Sequence, residues 1–352
     1  MDYNFPIGLS YDDVLLVPQY SEIDSRSDVN LTTKISPHIT LKIPLMSINM
    51  SDVTGIDMAV SLGRLGGVGL LPRFMSINEQ ADIVSEVKKA GVLAIPAIGI
   101  KDDYLEKVDT LVKAGADAIT IDIAHGHLAK CLKVTKHLKS VFKDRIDIIP
   151  GVIGTYEAAH DLFRSGADSV RVGVGPGTIC ITRIVTGVGV PQITAVLESA
   201  RAARKFGKTV ICDGGTKNSG DIVKGLAAGA SAVIAGSQFA GCKEAPGKLV
   251  TINGKKYKTY NASTSLPEKL KQLKNKNISG QSIKHIEGVQ SYVLYKGTVA
   301  AIVDDLLAGV RSGFSYCGAR NIQELWKNAK FIRVTEAGRR ENGSHDVITP
   351  ES

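Results

Sequence analysis

Aromatic side chains are scarce in this chain of 352 residues, at 5%, with a single tryptophan. That scarcity weighs against a nucleic-acid partner, since base stacking needs rings interleaved with cations. The net charge is nevertheless +8 and gathers from Lys243 to Lys284 and at Arg339-Arg340. It reads as a solvated basic face beside an anionic substrate. Cysteine is also sparse. Cys131, Cys180, Cys212, Cys242 and Cys317 are five in number, scattered and without Cys-x-x-Cys spacing. This disfavours a disulfide frame and a zinc site and suits reduced thiols in a cytoplasmic protein. No apolar run approaches the about 20 residues that span a bilayer, and Met1-Asp-Tyr-Asn-Phe-Pro6 shows no basic-then-apolar leader, so no membrane partner is expected. No Gly-x-Gly-x-x-Gly opens a helix after the first strand-like run, which disfavours a Rossmann domain.

The chain is 43% hydrophobic, enough for one large barrel or two ordinary domains. Short apolar runs alternate with helix-length amphipathic segments. Strands are expected at 43–49, 66–72, 93–99, 118–124, 146–152, 169–175, 209–215 and 232–237. Runs such as Ala118-Ile-Thr-Ile-Asp-Ile123 are apolar on both faces, as parallel strands covered by helices should be. Ala114-Gly-Ala-Asp-Ala-Ile-Thr-Ile-Asp122 recurs as Ser165-Gly-Ala-Asp-Ser-Val-Arg-Val-Gly173 and as Ala228-Gly-Ala-Ser-Ala-Val-Ile-Ala-Gly236. Each reads as a helix closed by glycine and fed into the next strand. Eight such units predict an α/β fold, a (β/α)8 TIM barrel, as one catalytic domain over residues 1–352. The longest departure, 238–297, is an insertion after the eighth strand. Its lysine-rich part from Lys269 to Lys284 reads as a mobile flap, or as a plain surface excursion.

One loop carries most of the chemistry. Val172-Gly-Val-Gly-Pro-Gly-Thr-Ile-Cys180 follows the sixth strand, with a hydroxyl two residues on at Thr182. Glycines let such a loop wrap closely around a ligand or ion. A thiol held there, made thiolate by backbone dipoles, can attack an electrophilic carbon. The alternative for a lone cysteine is a buried, inert thiol. Asp213-Gly-Gly215 and Gly236-Ser237 end the seventh and eighth strands. Bare N–H groups at these two strands are the usual phosphate cradle of a barrel, or simple turn geometry. Asp213 would then reach a ribose diol. Asp122-Ile-Ala-His-Gly-His127 has two histidines and an aspartate but no third ligand set at a recognisable spacing, which speaks against metal catalysis.

The cysteine loop through Gln192 resembles that of the inosine monophosphate dehydrogenase and guanosine monophosphate reductase family. So do Leu9-Ser-Tyr-Asp-Asp-Val-Leu-Leu-Val-Pro18, Thr209-Val-Ile-Cys-Asp-Gly-Gly215, Phe239-Ala-Gly-Cys-Lys-Glu-Ala-Pro-Gly247, Tyr295-Lys-Gly297 and Ser344-His-Asp-Val347. The resemblance implies a barrel enzyme in which Cys180 attacks C2 of a purine nucleoside monophosphate and a nicotinamide cofactor, NADPH or NAD, carries the hydride. It implies Thr182 and Glu287 as a proton relay, and Asp213 on the ribose. Thr178, Gly214, Gly215, Gly236, Ser237 and Tyr260 would surround the phosphate, with Ser47 and Ser263 completing the substrate set. Asp122, Ala124 and Gly173 would face the cofactor. Carbonyls of Gly175, Gly177 and Cys180 would hold a monovalent cation such as K+, and the assembly would be a homotetramer.

The direction of the reaction turns on the flap. In the family's dehydrogenase an Arg-Tyr pair activates the water that hydrolyses the adduct; its reductase needs none. Between Tyr260 and Glu287 this chain has neither arginine nor tyrosine, and it carries no inserted regulatory module. Both features favour GMP reductase. The flap length, Ala124-His-Gly-His127 and Arg183-Ile-Val-Thr-Gly-Val-Gly-Val-Pro191 resemble the dehydrogenase, which stands as the alternative. Three departures from the family pattern, Gly151-Val152, Ala262-Ser263-Thr264 and Pro72-Arg73, leave a third reading, a paralogue on another purine-like nucleotide.

Overall fold

The computed structural model describes residues 5–274 and 284–343. The central part of the segment expected as a flap and the Ser344-His-Asp-Val347 tail therefore lie outside the described residues. Eight parallel strands occupy the expected windows: β1 Leu45–Ser47, β2 Val68–Leu71, β3 Ile95–Ile98, β4 Ala118–Asp122, β5 Asp147–Gly151, β6 Ser169–Val172, β7 Thr209–Asp213 and β8 Ala232–Ala235. Their hydrogen-bonded order is β5-β4-β3-β2-β1-β8-β7-β6. A parallel bridge between Ile153 and Val172 joins the two ends, so the sheet closes into a (β/α)8 barrel. Sequential right-handed crossovers leave each strand paired with its chain neighbours, and closure removes both sheet edges.

Local sequence explains the repeat. Helix α5 (Tyr156–Arg164), for example, is capped by Thr155, whose Oγ1 accepts from Ala158 N–H at 3.2 Å, and it buries Ala158, Ala159, Leu162 and Phe163. The glycines of the internal echo, Gly115, Gly166 and Gly229, all take positive φ, at +100°, +94° and +113°. They turn each helix back to its strand in a conformation other residues resist. The remaining strand-following helices are α1 (Ile56–Arg64), α2 (Ile77–Lys89), α3 (Tyr104–Lys113), α4 (Ala129–Phe142), α7 (Gln192–Phe206) and α8 (Ser219–Ala227). Short α6 (Thr182–Thr186) lies in the cysteine loop.

Two apolar layers result, one inside the strands and a larger one between strands and helices. Ile35, Ile39 and Leu41, on a hairpin before β1, join the inner layer. The hairpin is tied to the strands' N-terminal ends: Ser36 Oγ and the His38 N–H donate to Asp147 (2.6 and 2.9 Å), and Thr209 Oγ1 donates to the Ile35 carbonyl (2.5 Å). The base is plugged, and the C-terminal rim is left as the mouth. There the insertion forms short α9 (Ser237–Ala240), an antiparallel sheet of β9 (Leu249–Ile252), β10 (Lys255–Asn261) and β11 (Gln290–Leu294), and helix α10 (Leu266–Lys274).

The base of the barrel also holds a charge cluster. Asp168, 1% exposed, accepts from Lys139 Nζ (2.9 Å), Lys208 Nζ (3.0 Å) and the Ile148 N–H (3.0 Å). Asp168→Ala strands two partly buried cations and an amide, so urea unfolding should show a loss of about 2–4 kcal/mol. Ligand binding at the opposite rim should stay as in the parent chain; a large change there would contradict this division of labour.

Candidate active site

Cys180 stands at the rim in the loop after β6. Its Sγ lies 3.1 Å from Thr182 Oγ1, which donates to Glu287 Oε2 at 2.7 Å. Thr182 and Glu287 are 105 residues apart in the chain, and backbone pairing explains why they meet. The Ile181 N–H donates to the Glu287 carbonyl (2.9 Å) and the Val289 N–H to the Ile179 carbonyl (3.1 Å), making Cys180 and Gly288 bridge partners. Gly288 has no room for a side chain, since a Cβ there would stand 2.1 Å from Ala262 Cβ. The other four thiols are buried. Burial pushes Cys131 and Cys212 up to about 11 and Cys242 up to about 12, and raises Cys317. Only Cys180 combines exposure with a relay.

Two lobes of one cleft meet at this thiol. The first, about 120 Å³, is lined by Thr178, Gly214, Gly215, Gly236, Ser237, Tyr260 and Ser263. Gly214 and Gly215 both take φ of +84°, a turn that other residues resist, and the Gly214 N–H donates to the Ile234 carbonyl at 3.1 Å. A Cβ on Gly236 would stand 2.6 Å from the Tyr260 hydroxyl, so glycine lets that phenol approach. Burial raises the Tyr260 pKa and keeps it a proton donor. Thr178 Oγ1 donates to Ser237 Oγ at 3.3 Å. The second lobe, about 280 Å³, is lined by Asp122, Ala124, Val152, Gly173, Gly175 and Asp213. Gly177, Cys180, Ser263 and Glu287 border both lobes.

Ser47 is a correction. It is fully buried, its Oγ hydrogen-bonded to Thr54 Oγ1 at 2.8 Å, and it lines neither lobe. The alternation of the strand turns Ser47 into the barrel wall, and the next residue, Ile48, lines the cleft instead. His127 does not converge with Asp122; its Nε2 lies 2.9 Å from Asp161 Oδ2. Among the described residues no group of three or more His, Cys, Asp or Glu side chains is gathered for a metal.

Arg171 on β6 is the residue that sequence reading missed. Only 2% exposed, it donates to Asp213 Oδ2 through Nε (2.9 Å) and Nη2 (2.6 Å), and to Thr120 Oγ1 (3.2 Å) and Asp122 Oδ1 (3.4 Å) through Nη1. Arg73 Nε donates to Asp122 Oδ2 at 3.0 Å. A cation interrupting the run Ser169-Val-Arg-Val172 was the available signal. The two carboxylates respond differently. Burial would raise Asp122, but Arg171 and Arg73 together hold it below the usual carboxylate range. Burial raises Asp213, helped by the charge of Asp122 and only partly opposed by Arg171. Arg183, also missed, ties the cysteine loop from within: Nε donates to the Val174 carbonyl (3.1 Å) and Nη2 to the Val190 carbonyl (2.6 Å).

Fold and site define a (β/α)8 barrel with a partly exposed cysteine at its mouth. Residues 8–345 match the model of the IMP dehydrogenase / GMP reductase domain, and the chain belongs to that family. It is 35% identical to an inosine-5'-monophosphate dehydrogenase of Nitrosopumilus maritimus, with 98% of this chain and 99% of that protein covered. It is 34% identical to a GMP reductase of Leishmania donovani, with 97% of each covered. A crystal structure of a GMP reductase variant from Trypanosoma brucei with guanosine 5'-monophosphate superposes with a TM-score of 0.92 at 31% identity, covering 98% of this chain and 99% of that one. The alignment to the Nitrosopumilus protein runs over 474 positions, more than this chain possesses, so that relative carries sequence lacking here.

The depressed pKa of Asp122 makes its contribution to stability fully present above the ordinary carboxylate pKa of about 4 and lost as pH falls through the lower folded value. Asp122→Asn should therefore flatten the acid limb of a urea-midpoint profile below about pH 4. An unchanged acid limb would show that the two guanidinium contacts do not hold the carboxylate ionised.

Proposed function

We propose that this chain is a GMP reductase, converting GMP and NADPH to IMP and ammonia. The observation that carries the reading is the Cys180–Thr182–Glu287 relay, standing beside a flap sequence without arginine or tyrosine from Asn261 to Ile286. The relay is directed to take the thiol proton: Thr182 donates to Glu287, leaving its oxygen free to accept from Cys180. The thiolate then bonds to C2 of guanine. The same proton, returned through Thr182, leaves with the amino group as ammonia, and a thioimidate remains on Cys180. The nicotinamide cofactor, when bound, supplies the hydride at C2. Rupture of the C2–S bond then releases IMP and the Cys180 thiolate, which one proton from solvent, passed through Glu287 and Thr182, returns to the thiol.

The residues present fit these groups. Gly215, Gly236, Ser237, Thr178 and Tyr260 offer N–H and O–H donors to a phosphate, with Gly214 shaping the turn. Both Arg171 bonds fall on Oδ2 of Asp213, so Oδ1 serves the ribose hydroxyls. Ser263 and Val152 border the base, and Asp122, Ala124 and Gly173 the nicotinamide side. The carbonyls of Gly175, Gly177 and Cys180 are neutral oxygen donors that suit K+; Gly177's already accepts the Cys180 N–H at 3.1 Å and keeps a second lone pair. A cytoplasmic homotetramer with residues 1–352 as one catalytic domain, and a flap within 238–297, completes the reading. Among the described residues no helix is long and apolar enough to cross a membrane.

The second reading, IMP dehydrogenase, is favoured by the Arg183–Pro191 stretch, whose arginine ties the cysteine loop. Two reactions followed by nicotinamide absorbance separate the readings: GMP with NADPH, and IMP with NAD and potassium. Consumption of NADPH is expected. NADH formation instead would make it a dehydrogenase, with Thr182 and Glu287 as the groups left to activate water. Nucleotide binding without either reaction would indicate another base, with Val152 and Ser263 as the cause. Cys180→Ala should abolish turnover and leave GMP bound. Thr182→Val should lower kcat by about 10²–10⁴, and a wild-type rate in that variant would exclude the relay.

A further inference from the structure

A buried ammonium sits in the insertion and lines neither lobe of the cleft. Lys258 on β10 is 5% exposed, and its Nζ donates to the carbonyls of Cys242 (3.0 Å), Lys243 (3.1 Å) and Ala245. An ammonium carries three N–H bonds, and here each finds a backbone oxygen. Neutral carbonyls gathered around one positive charge are the kind of cage that takes a monovalent cation in place of its water. The turn that supplies them is pinned from its other side. The Lys243 N–H donates to the Gly297 carbonyl (2.7 Å), the Lys296 N–H to the Gly241 carbonyl (2.9 Å) and the Val299 N–H to Glu244 Oε2 (2.9 Å). The turn follows directly on α9, whose first residue, Ser237, borders the first lobe. Strands β9 and β11 hold β10 in the plane of the sheet; Lys258 ties it across to the turn.

Alternation along β10 sets Lys258 and Tyr260 on one face, and both are buried. The Tyr260 hydroxyl closes on Gly236, where a Cβ would stand 2.6 Å from it. Phenol and ammonium thus meet the two ends of one segment, Gly236 ahead of α9 and the Cys242 to Ala245 turn behind it. We propose that Lys258 is a positioning residue of the first lobe. Its ammonium, seated in the carbonyl cage as a free cation would be, sets β10 at the depth where the Tyr260 hydroxyl meets Gly236 and a bound phosphate. The inference rests on the reading of this lobe as a phosphate site. Without the ammonium three carbonyls lose this donor, and the strand can tilt away from the turn about its bonds to β9 and β11.

Calorimetric titration of the full chain with GMP reads this without turnover. Lys258→Met keeps the aliphatic stem and removes the charge. It should weaken GMP about tenfold or more, as should Tyr260→Phe, the usual effect of losing a hydrogen bond to a charged group. The double variant should bind about as well as the weaker single one, because both changes remove one contact. Lys258→Ala lacks the equivalent of propylammonium, and that ion at millimolar concentration should restore most of the affinity. Tetramethylammonium should not, and neither ion should rescue Tyr260→Phe. Nitration of Tyr260 by tetranitromethane, read by peptide mass, needs no nucleotide. Absent in the parent chain, it should appear in Lys258→Ala and fade with propylammonium. Losses that add in the double variant would overturn the proposal, as would GMP affinity and nitration that no Lys258 variant moves. A chain that binds no GMP while nitration follows Lys258 would sink the reading of the lobe and keep the tie to Tyr260. GMP bound and reduced with Tyr260 unmoved would do the reverse.

Discussion

The rim of this barrel is organised around one buried cation. Arg171 is 2% exposed, and a charge so placed is tolerated only when its donors are met by charged or polar acceptors. The acceptors come from strands on either side: Asp213 at the end of β7, Thr120 and Asp122 at the end of β4. Small residues permit the approach. A Cβ on Gly151 would stand 2.5 Å from Arg171 Cβ, and one on Gly173 would stand 2.1 Å from the Asp213 carbonyl oxygen. Removing the guanidinium would leave two carboxylates facing each other across a low-dielectric floor, a larger penalty than the loss of any one hydrogen bond. Because its two forks are used, Arg171 also fixes which carboxylate oxygens face the cleft.

Above that floor the cleft is divided by chemistry. One lobe presents glycine turns and hydroxyls, suited to a phosphate; the other presents the carboxylates and the two arginines behind them. Cys180 stands where they join, so a carbon held above its sulfur is open to both sides. The pairing of residues 179–181 with 287–289 puts Glu287 within reach of Thr182. The insertion therefore does two jobs. Its sheet supplies Tyr260 to the first lobe, and the segment just ahead of its last strand brings Glu287 to Thr182.

Much of this was legible in the sequence because the barrel repeats itself. The helix-glycine-strand echo marked three units directly, and the glycines at 115, 166 and 229 take the backbone conformation that the pattern required. The relay was legible only through likeness, since no local periodicity links Thr182 to a glutamate 105 residues away. Arg171 was hidden for the opposite reason: in an apolar strand a cation reads as an interruption, and its partners lie 42 and 49 positions distant. Ser47 failed by one residue. In a strand of three residues a shift of one exchanges the wall for the cleft, and neither Ser47 nor Ile48 declares its side by composition. The sheet of the insertion escaped notice because Lys255, Lys256 and Lys258 give its middle strand no apolar alternation, although Lys258 is buried with its Nζ on the Cys242 and Lys243 carbonyls.

On the proposed chemistry an adduct on Cys180 has two fates, and the architecture bears on which prevails. Hydrolysis needs a water and a base poised against C2, whereas reduction needs only a hydride donor stacked on that face and a site kept dry. Glu287 is the carboxylate of the relay, and it is already engaged with Thr182. Were it also to activate water, it would have to hold the thiol's proton and take one from water in the same cycle. Lys269, on the helix of the insertion, donates to the His285 carbonyl, and burial lowers its pKa while Glu287 opposes that fall. An ammonium tied to backbone is a brace for the Glu287 segment rather than a base for water. Beside the sulfur the cleft sets apolar Val152, Ile48 and Met50 against the hydroxyls of Ser263 and Thr264.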